Sequence, residues 1–310
     1  MGHRVVHGGE RFRETVRIEG DVERQLRELI EIAPLHQSKS LAALDVVGEA
    51  LPDAPAFACF DTAFHATLPP AATTYALPAE WRERWHLRRY GFHGLSHGWV
   101  ARRAPELLGR KSDGLRIVSC HLGAGASLCA IQNGASIDTT MGFTPLEGLV
   151  MATRSGSVDP GMLLWLLEHE QLSTGELADV LEHRSGLLGL AGSADMREIL
   201  DRAGRGDPSA RLALEVYSHR LRAGIAAMAA ALDGLDALVF TGGVGEHSSE
   251  IRAQAAVGLG FLGVAVDGDR NAQPQADCEI GVQGAAVRTL VLTAREDIEI
   301  ARQVRALLRG

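Results

Sequence analysis

The sequence has no CxxC pair among Cys59, Cys120, Cys129 and Cys278, and three of these cysteines lie in apolar runs that look like buried strands. They read as reduced core residues. No apolar stretch is long enough for a membrane helix, and no segment reads as a signal peptide or lipidation motif. A cytoplasmic protein is therefore expected. Clustered basic residues are missing too: the formal net charge is −8 and the arginines are scattered among acids. That excludes a nucleic-acid surface and leaves a small molecule as the expected partner. Aromatics are sparse at 5%, and neither a sequence repeat nor a low-complexity segment occurs. What is present, 310 residues with 46% hydrophobic, 23% charged and 35 glycines, suits a soluble α/β protein with many tight strand–helix turns and room for two modest domains.

In chain order, His3–His7 reads as a strand entering the Gly8-Gly9 turn, so a complete motif stands at the terminus. Such an opening is expected at an internal position of a domain, with earlier strands to pair with. Helical spacing covers Asp21 to Ile32 and again Ser40 to Ala50, with Pro34-Leu35-His36-Gln37 between them. Pro55–Phe60 reads as a buried strand that delivers Asp61 to His65 at its carboxyl end, where parallel α/β sheets bind ligands. Leu68–Pro78 is expected to be a loop and the domain crossing. Arg116–His121 and Leu128–Ile131 form a hairpin around the glycine-rich His121–Ser127 tip, ending at Asn133-Gly134. Helices follow at Gly161–His169 and Ser173–Leu181, then a glycine-punctuated loop at Ser185–Gly192. Asp207-Pro208 supplies an N-cap and N1 proline for a long helix to about Leu232. Ala237–Phe240 is a buried strand leading into Gly242-Gly243-Val244-Gly245, and Thr289–Leu292 a last strand before the terminal helix.

The stretch with most chemistry is Met141–Met162. Its one basic side chain, Arg154, is flanked by Thr153, Ser155, Gly156 and Ser157, small residues that leave a guanidinium fork open to an oxyanion. The bland alternative is a glycine-rich loop with one solvated arginine. Loop tips also offer Arg4, Asp61, His93, His121, Arg197 and Glu296. Cations and donors outnumber acids, a set suited to a polyanion with carboxylates kept for a divalent ion, that is, to phosphoryl transfer. The Gly242–Gly245 turn either cradles a nucleotide or is an ordinary tight turn. Glu296 and Asp297 at a helix start serve equally as dipole caps, and Asp61 as a turn residue. The i,i+4 pairs His3/His7 and His93/His97 lack an HExxH motif and a third ligand, which makes a zinc hydrolase remote. Gly94-Leu95-Ser96-His97 lacks the GxSxG elbow, so a serine hydrolase is remoter still.

Taken together, His3–Glu10, Ala33–His36, Phe60–His65, Tyr90–His97, His121–Ser127, Met141–Pro160, Ser185–Arg197 and Phe240–Ser248 fall in the order and approximate spacing of the acetate kinase family. The chain resembles that family over nearly its whole length. The resemblance implies two actin-like, sugar-kinase-like (ribonuclease H-like) α/β domains, an N-terminal-type domain of 1–66 with 297–310 and a second of 67–296, usually in a homodimer. It implies reversible transfer of the γ-phosphoryl of ATP to acetate with Mg²⁺. By motif position, Arg4 and Arg154 correspond to the guanidiniums that clamp carboxylate and phosphoryl, His93 to a donor to phosphoryl oxygens, and Asp61 to the carboxylate near acetyl group and metal. His121, Gly123 and Gly125 correspond to the phosphate-binding hairpin, Asp195 and Arg197 to the adenosine-side pair, Gly243 and Gly245 to the nucleotide turn, and Glu296 to the magnesium carboxylate.

The chain departs from the family pattern in places. The family's leading strand and lysine-bearing hairpin are not matched, which predicts an incomplete first domain and a start at an internal position. Ala124 replaces an asparagine, Arg295 stands where asparagine is usual, and Gln37-Ser38 replaces Asn-Pro. These departures bear on substrate preference and rate. A propionate or butyrate kinase, or a nucleotide-binding relative with impaired catalysis, is the alternative.

Overall fold

A computed structural model describes residues 1–29 and 34–309, the side chains of 34–39 excepted. The strands are β1 Gly2–Val5, β2 Val16–Arg17, β3 Phe57–Phe60, β4 Arg116–Leu122, β5 Ala126–Gln132, β6 Ala135–Thr139, β7 Ala237–Thr241, β8 Cys278–Glu279 and β9 Arg288–Val291. The helices are α1 Gly20–Glu28, α2 Pro34–Ala50, α3 Pro70–Thr73, α4 Ala79–Trp85, α5 Gly94–Leu108, α6 Pro160–His169, α7 Thr174–His183, α8 Gly186–Ala191, α9 Met196–Gly204, α10 Pro208–Ala231, α11 Gly242–His247, α12 Ser249–Val257, α13 Gly268–Ala272 and α14 Glu296–Arg309.

Two compact units divide the chain: Met1–Leu115 with Cys129–Thr144 and Ala294–Gly310, and Arg116–Leu128 with Pro145–Thr293. Compactness thus groups 67–115 with the first unit, and Leu68–Pro78, expected to be a structureless crossing, carries the short helix α3.

In the first unit, β1 runs parallel to β3 (Gly2 opposite Phe57, Val5 opposite Phe60) and β2 antiparallel to it (Val16 opposite Ala58). Val5, Leu26, Leu41, Ala58 and Phe60 close its core, and the Phe12 and Phe60 rings stack at 5.0 Å. α14 lies so close on β1 that a Cβ on Gly2 would fall 2.4 Å from the Ile300 side chain. α2 begins at Pro34, six residues before the expected Ser40, since proline suits the first helical turn. The expected end of the first helix at Ile32 lies outside the described residues. β5 and β6 form an antiparallel pair in which Gln132 faces Ala135. Asn133 and Gly134 between them both have positive φ, the hairpin turn that matches strand twist.

In the second unit β4, β7 and β9 are parallel, and β8 runs antiparallel on β9. β7 is buried along its length, as a strand covered on both faces must be. Asp207 caps the 24-residue α10 by accepting from Ser209 and Ala210, with Pro208 at N1. Because β4 and β7 run the same way, with His121 opposite Thr241, their carboxyl ends open together on one edge of the sheet.

Candidate active site

The functional side chains of the first unit are placed by strand register. Arg4 faces Cys59, and Asp61 stands two residues beyond Cys59, on the same face by the period of the strand. The two side chains meet: Arg4 Nε donates to Asp61 Oδ1 at 3.1 Å and Oδ2 at 3.0 Å, and Nη2 to Oδ2 at 2.7 Å. Arg4 Nη1 reaches Glu296 Oε2 at 3.5 Å from the start of α14. Asp61 is 1% exposed and Arg4 42% exposed, so the acid is buried and the base keeps one side in water. Burial pushes the Asp61 carboxyl up from its ordinary value against the pull of Arg4. It does the same to Glu296, which the charge of Asp61 raises further. Two carboxylates thus share one guanidinium and retain an excess negative charge, a donor set that suits a divalent cation. Among the described residues no group of three or more His, Cys, Asp or Glu side chains is placed to hold a metal, so an all-protein cage is not what this corner offers. A magnesium ion needs less, because it is held by one or two carboxylates together with phosphate oxygens and water.

His93 is held beside this corner by backbone packing. Gly94 N–H donates to the Asp61 carbonyl at 2.8 Å, and a Cβ on Gly94 would come within 2.2 Å of that oxygen. His93 itself takes a left-handed φ of 56° as the N-cap of α5, a conformation uncommon for a residue with a side chain. Of the histidine pairs considered for zinc, His3 lies on β1 and His7 after it, while His93 is the N-cap of α5 and His97 lies within that helix. His7 and His65 are both buried, and burial pulls each pKa down to about 4. His65 Nδ1 is 2.8 Å from Ser136 Oγ and Nε2 3.0 Å from the Phe92 carbonyl, and its ring meets that of His97 edge-on. His65 is thus a satisfied core histidine.

In the second unit a cavity of about 890 Å³ opens at the carboxyl ends of β4 and β7. Gly242, at φ 79°, brings the turn after β7 onto β4: a Cβ there would fall 2.8 Å from the Leu122 carbonyl oxygen. Gly243, next in the chain, has nothing within 4 Å of its Cβ direction. Gly123, Asp195, Arg197 and Gly243 line the cavity, with Ala124, Ala152, Leu187, Met196, Leu200, Tyr217 and Val244. Asp195 caps α9 through Arg197 N–H at 2.9 Å and receives the Arg197 guanidinium at 3.0 and 2.6 Å. Those bonds hold the Asp195 carboxyl down to about 2. His121, Gly125 and Gly245 stand on the strand, turn and helix that carry this wall.

Arg154 is not a solvated loop residue. Its side chain is 19% exposed, Nη1 donates to the Pro145 carbonyl at 2.7 Å, and Nε lies 3.9 Å from Glu182. Burial lowers its pKa against the pull of Glu182. Ala152 N–H donates to the Ala124 carbonyl at 3.1 Å and so ties the Arg154 loop to the glycine tip between β4 and β5. The expected loop at Ser185–Gly192 is instead the helix α8 bracketed by left-handed glycines. α8 presses on the Arg154 loop, for a Cβ on Gly186 would sit 2.2 Å from the Met151 carbonyl oxygen.

Geometry therefore assembles Arg4, Asp61 and Glu296, with His93 adjacent, in the first unit, and Gly123, Asp195, Arg197 and Gly243 around one cavity in the second. A profile of the acetokinase family matches residues 1–302. The chain belongs to that family. It is 44% identical over 311 residues to the acetate kinase of Acetivibrio thermocellus, covering 100% of this chain and 78% of the relative. It is 50% identical over 305 residues to that of Gloeobacter violaceus, covering 98% and 75%. Among solved structures, Porphyromonas gingivalis acetate kinase superposes with a TM-score of 0.93 at 40% identity, over 99% of this chain and 77% of that one. A propionate kinase from Francisella tularensis gives 0.93 at 38%, over 97% and 77%. The fold is the two-domain actin-like, sugar-kinase-like fold of the acetokinase family.

Cavity residues that the sequence did not single out include Leu187, Leu200, Asp201, Tyr217 and Glu250. Leu187 was hidden in a segment read as loop. Tyr217 sits midway along an alanine-rich helix, where an aromatic reads as core.

Proposed function

We propose that this chain is an acetate kinase, a phosphotransferase that moves the γ-phosphoryl of ATP to acetate and reverses the step. One observation carries the reading: the nucleotide-sized cavity at the carboxyl ends of β4 and β7 occurs in a chain whose relatives, at 44–50% identity, are named acetate kinase. A preference for propionate is not favoured by those names.

Acetate is ionised at neutral pH, so its oxygen needs no general base; the task is to bring two anions together against their repulsion. In this reading Arg154 neutralises the phosphoryl in flight, and its burial strengthens its charge on that group. Arg4 binds the acetate carboxylate with its exposed side while Asp61 fixes its orientation. His93 donates to phosphoryl oxygens. His121, Gly123 and Gly125 form the phosphate-side hairpin, Gly243 and Gly245 the nucleotide turn, and Asp195 and Arg197 the adenosine side. Glu296, with Asp61, would hold Mg²⁺. When bound, the ion neutralises phosphate charge.

The domain division we propose remains 1–66 with 297–310 as an N-terminal-type domain and 67–296 as a second actin-like domain. A homodimer is proposed through α6, where Met162, Leu164 and Trp165 are exposed. A cytoplasmic location is proposed; no helix among the described residues is long and apolar enough to cross a membrane. Trapping acyl phosphate as the hydroxamate with acetate, propionate and butyrate tests the substrate. Acetate is expected to give the highest kcat/KM, and a propionate maximum would overturn that preference.

A further inference from the structure

Glu299, on α14 in the first unit, is an acid only 1% exposed. Carboxylates persist at such depth only when they are paired. Arg302 donates to Oε1 through Nη2 at 2.8 Å and to Oε2 through Nε at 3.3 Å, and Gln303 Nε2 donates to Oε1 at 2.8 Å. These partners on the next turn of α14 set the orientation of the carboxylate. The link to another element is Arg102 of α5, whose Nη2 pairs with Glu299 Oε2 while Nη1 donates to the Gly98 carbonyl at 3.1 Å. α5 packs directly on the acid, for a Cβ on Gly98 would stand 3.7 Å from Glu299 Oε1. Gln303 extends the network toward β3: its Oε1 accepts from Thr15 Oγ1 at 2.5 Å, and that hydroxyl lies 3.6 Å from Cys59 Sγ.

The elements joined in this way carry the Arg4, Asp61 and Glu296 corner. Glu296 stands three residues before Glu299 on the same helix, His93 is the N-cap of α5, and Cys59 precedes Asp61 by two residues. Arg4 Nη1 meets Glu296 at 3.5 Å, longer than a hydrogen bond, so that contact alone sets the place of α14 weakly. Glu299, one turn further on, anchors the helix where water cannot compete.

We propose that Glu299 is a positioning residue, which by joining α14 to α5 holds Glu296 in place beside Arg4. This rests on the reading of that corner as the acetate and metal side. The test compares the full-length wild type with Glu299→Gln, Arg102→Gln, Glu296→Gln and the double variant of Arg102→Gln with Glu296→Gln. Two readouts are taken: kcat/KM for acetate by hydroxamate trapping, and, without turnover, titration of Mn²⁺ followed by electron paramagnetic resonance in the presence of ADP. Glu299→Gln is expected to lower Mn²⁺ affinity and kcat/KM about tenfold, the effect of disturbing the support of a ligand or of a small misplacement. Arg102→Gln leaves Glu299 paired with Arg302 and Gln303 and cuts only the link to α5; it should shift both readouts in the same direction, and it decides the matter if Glu299→Gln does not fold. Because the link acts through Glu296, Arg102→Gln should add nothing once Glu296 is already glutamine, a non-additivity that general loosening of the fold would not produce. Wild-type values in the folded single variants at 102 and 299, or full additivity in the double variant, would overturn the proposal. If Glu296→Gln changes both readouts while the other two single variants change neither, only the Glu299 proposal fails. If Glu296→Gln itself changes neither, the corner is not the metal side and both readings fail.

Discussion

Arg4 and Asp61 are an unequal pair: they share a forked hydrogen bond at 2.7–3.1 Å, yet the carboxylate is buried and the guanidinium half open to solvent. Removing the base therefore leaves a buried charge without its partner, whereas removing the acid leaves a charge that can still reach water. Breaking a buried pair from the exposed side costs about 3–5 kcal/mol and from the buried side about 1 kcal/mol. Urea unfolding at pH 7 should rank Arg4→Ala well below Asp61→Asn in stability. Equal losses would show that Asp61 is solvated after all.

The adjacent glycines of the turn after β7, proposed to take the nucleotide, should behave oppositely. Gly242→Ala is expected to cost about 1–3 kcal/mol, because φ 79° is strained for alanine and its Cβ would strike the Leu122 backbone. Gly243→Val meets open space and should leave the melting temperature near wild type while weakening ADP at least about tenfold. Thermal shift with and without ADP reads both effects. Loss of folding by the valine variant would contradict the open geometry.

Arg154→Ala should abolish turnover, a loss on the order of 10³–10⁵, while nucleotide affinity stays within about threefold. Its stability cost is about 1–3 kcal/mol, since the Pro145 carbonyl loses its donor and the mostly buried Glu182 its counter-charge. A folded variant that no longer binds nucleotide would assign the arginine a different task.

Acid should unfold the first unit partly through His7 and His65. Both are neutral in the fold, with pKa pulled from 6.5 to about 4, so the unfolded chain binds the extra protons between those values. Stability from each is complete above pH 6.5 and falls as pH drops toward 4, by up to about 3 kcal/mol. Asp61 and Glu296 act in the opposite sense, since their raised pKa values make the folded state the better proton acceptor. His65→Gln should therefore flatten the dependence of the urea midpoint on pH between 6.5 and 4. An unchanged slope would mean that His65 is not a source of it.

What the sequence made legible was local chemistry. The apolar run of β7, the Asp207-Pro208 start of α10 and the end of β3 at Asp61 depend on neighbours in the chain, and each stands where expected. Glycine was ambiguous. Gly186 and Gly192 read as loop breakers but bracket α8, and Asn133-Gly134 read as the end of a strand but turns it into β6. The Arg4–Asp61 pairing required the register of β1 against β3, and the partner of Arg154, the Pro145 carbonyl, carries no side-chain signal. Tyr217 needed three-dimensional placement to be found in one cavity wall with Gly123 and Val244, since an aromatic in an alanine-rich helix reads as core.

Phosphorus NMR of the purified chain with Mg-ATP and acetate tests the central claim most directly. The account predicts an acetyl phosphate resonance growing in step with ADP, absent for Arg154→Ala. Release of inorganic phosphate without acetyl phosphate, or no reaction by a folded chain that binds ATP, would contradict it.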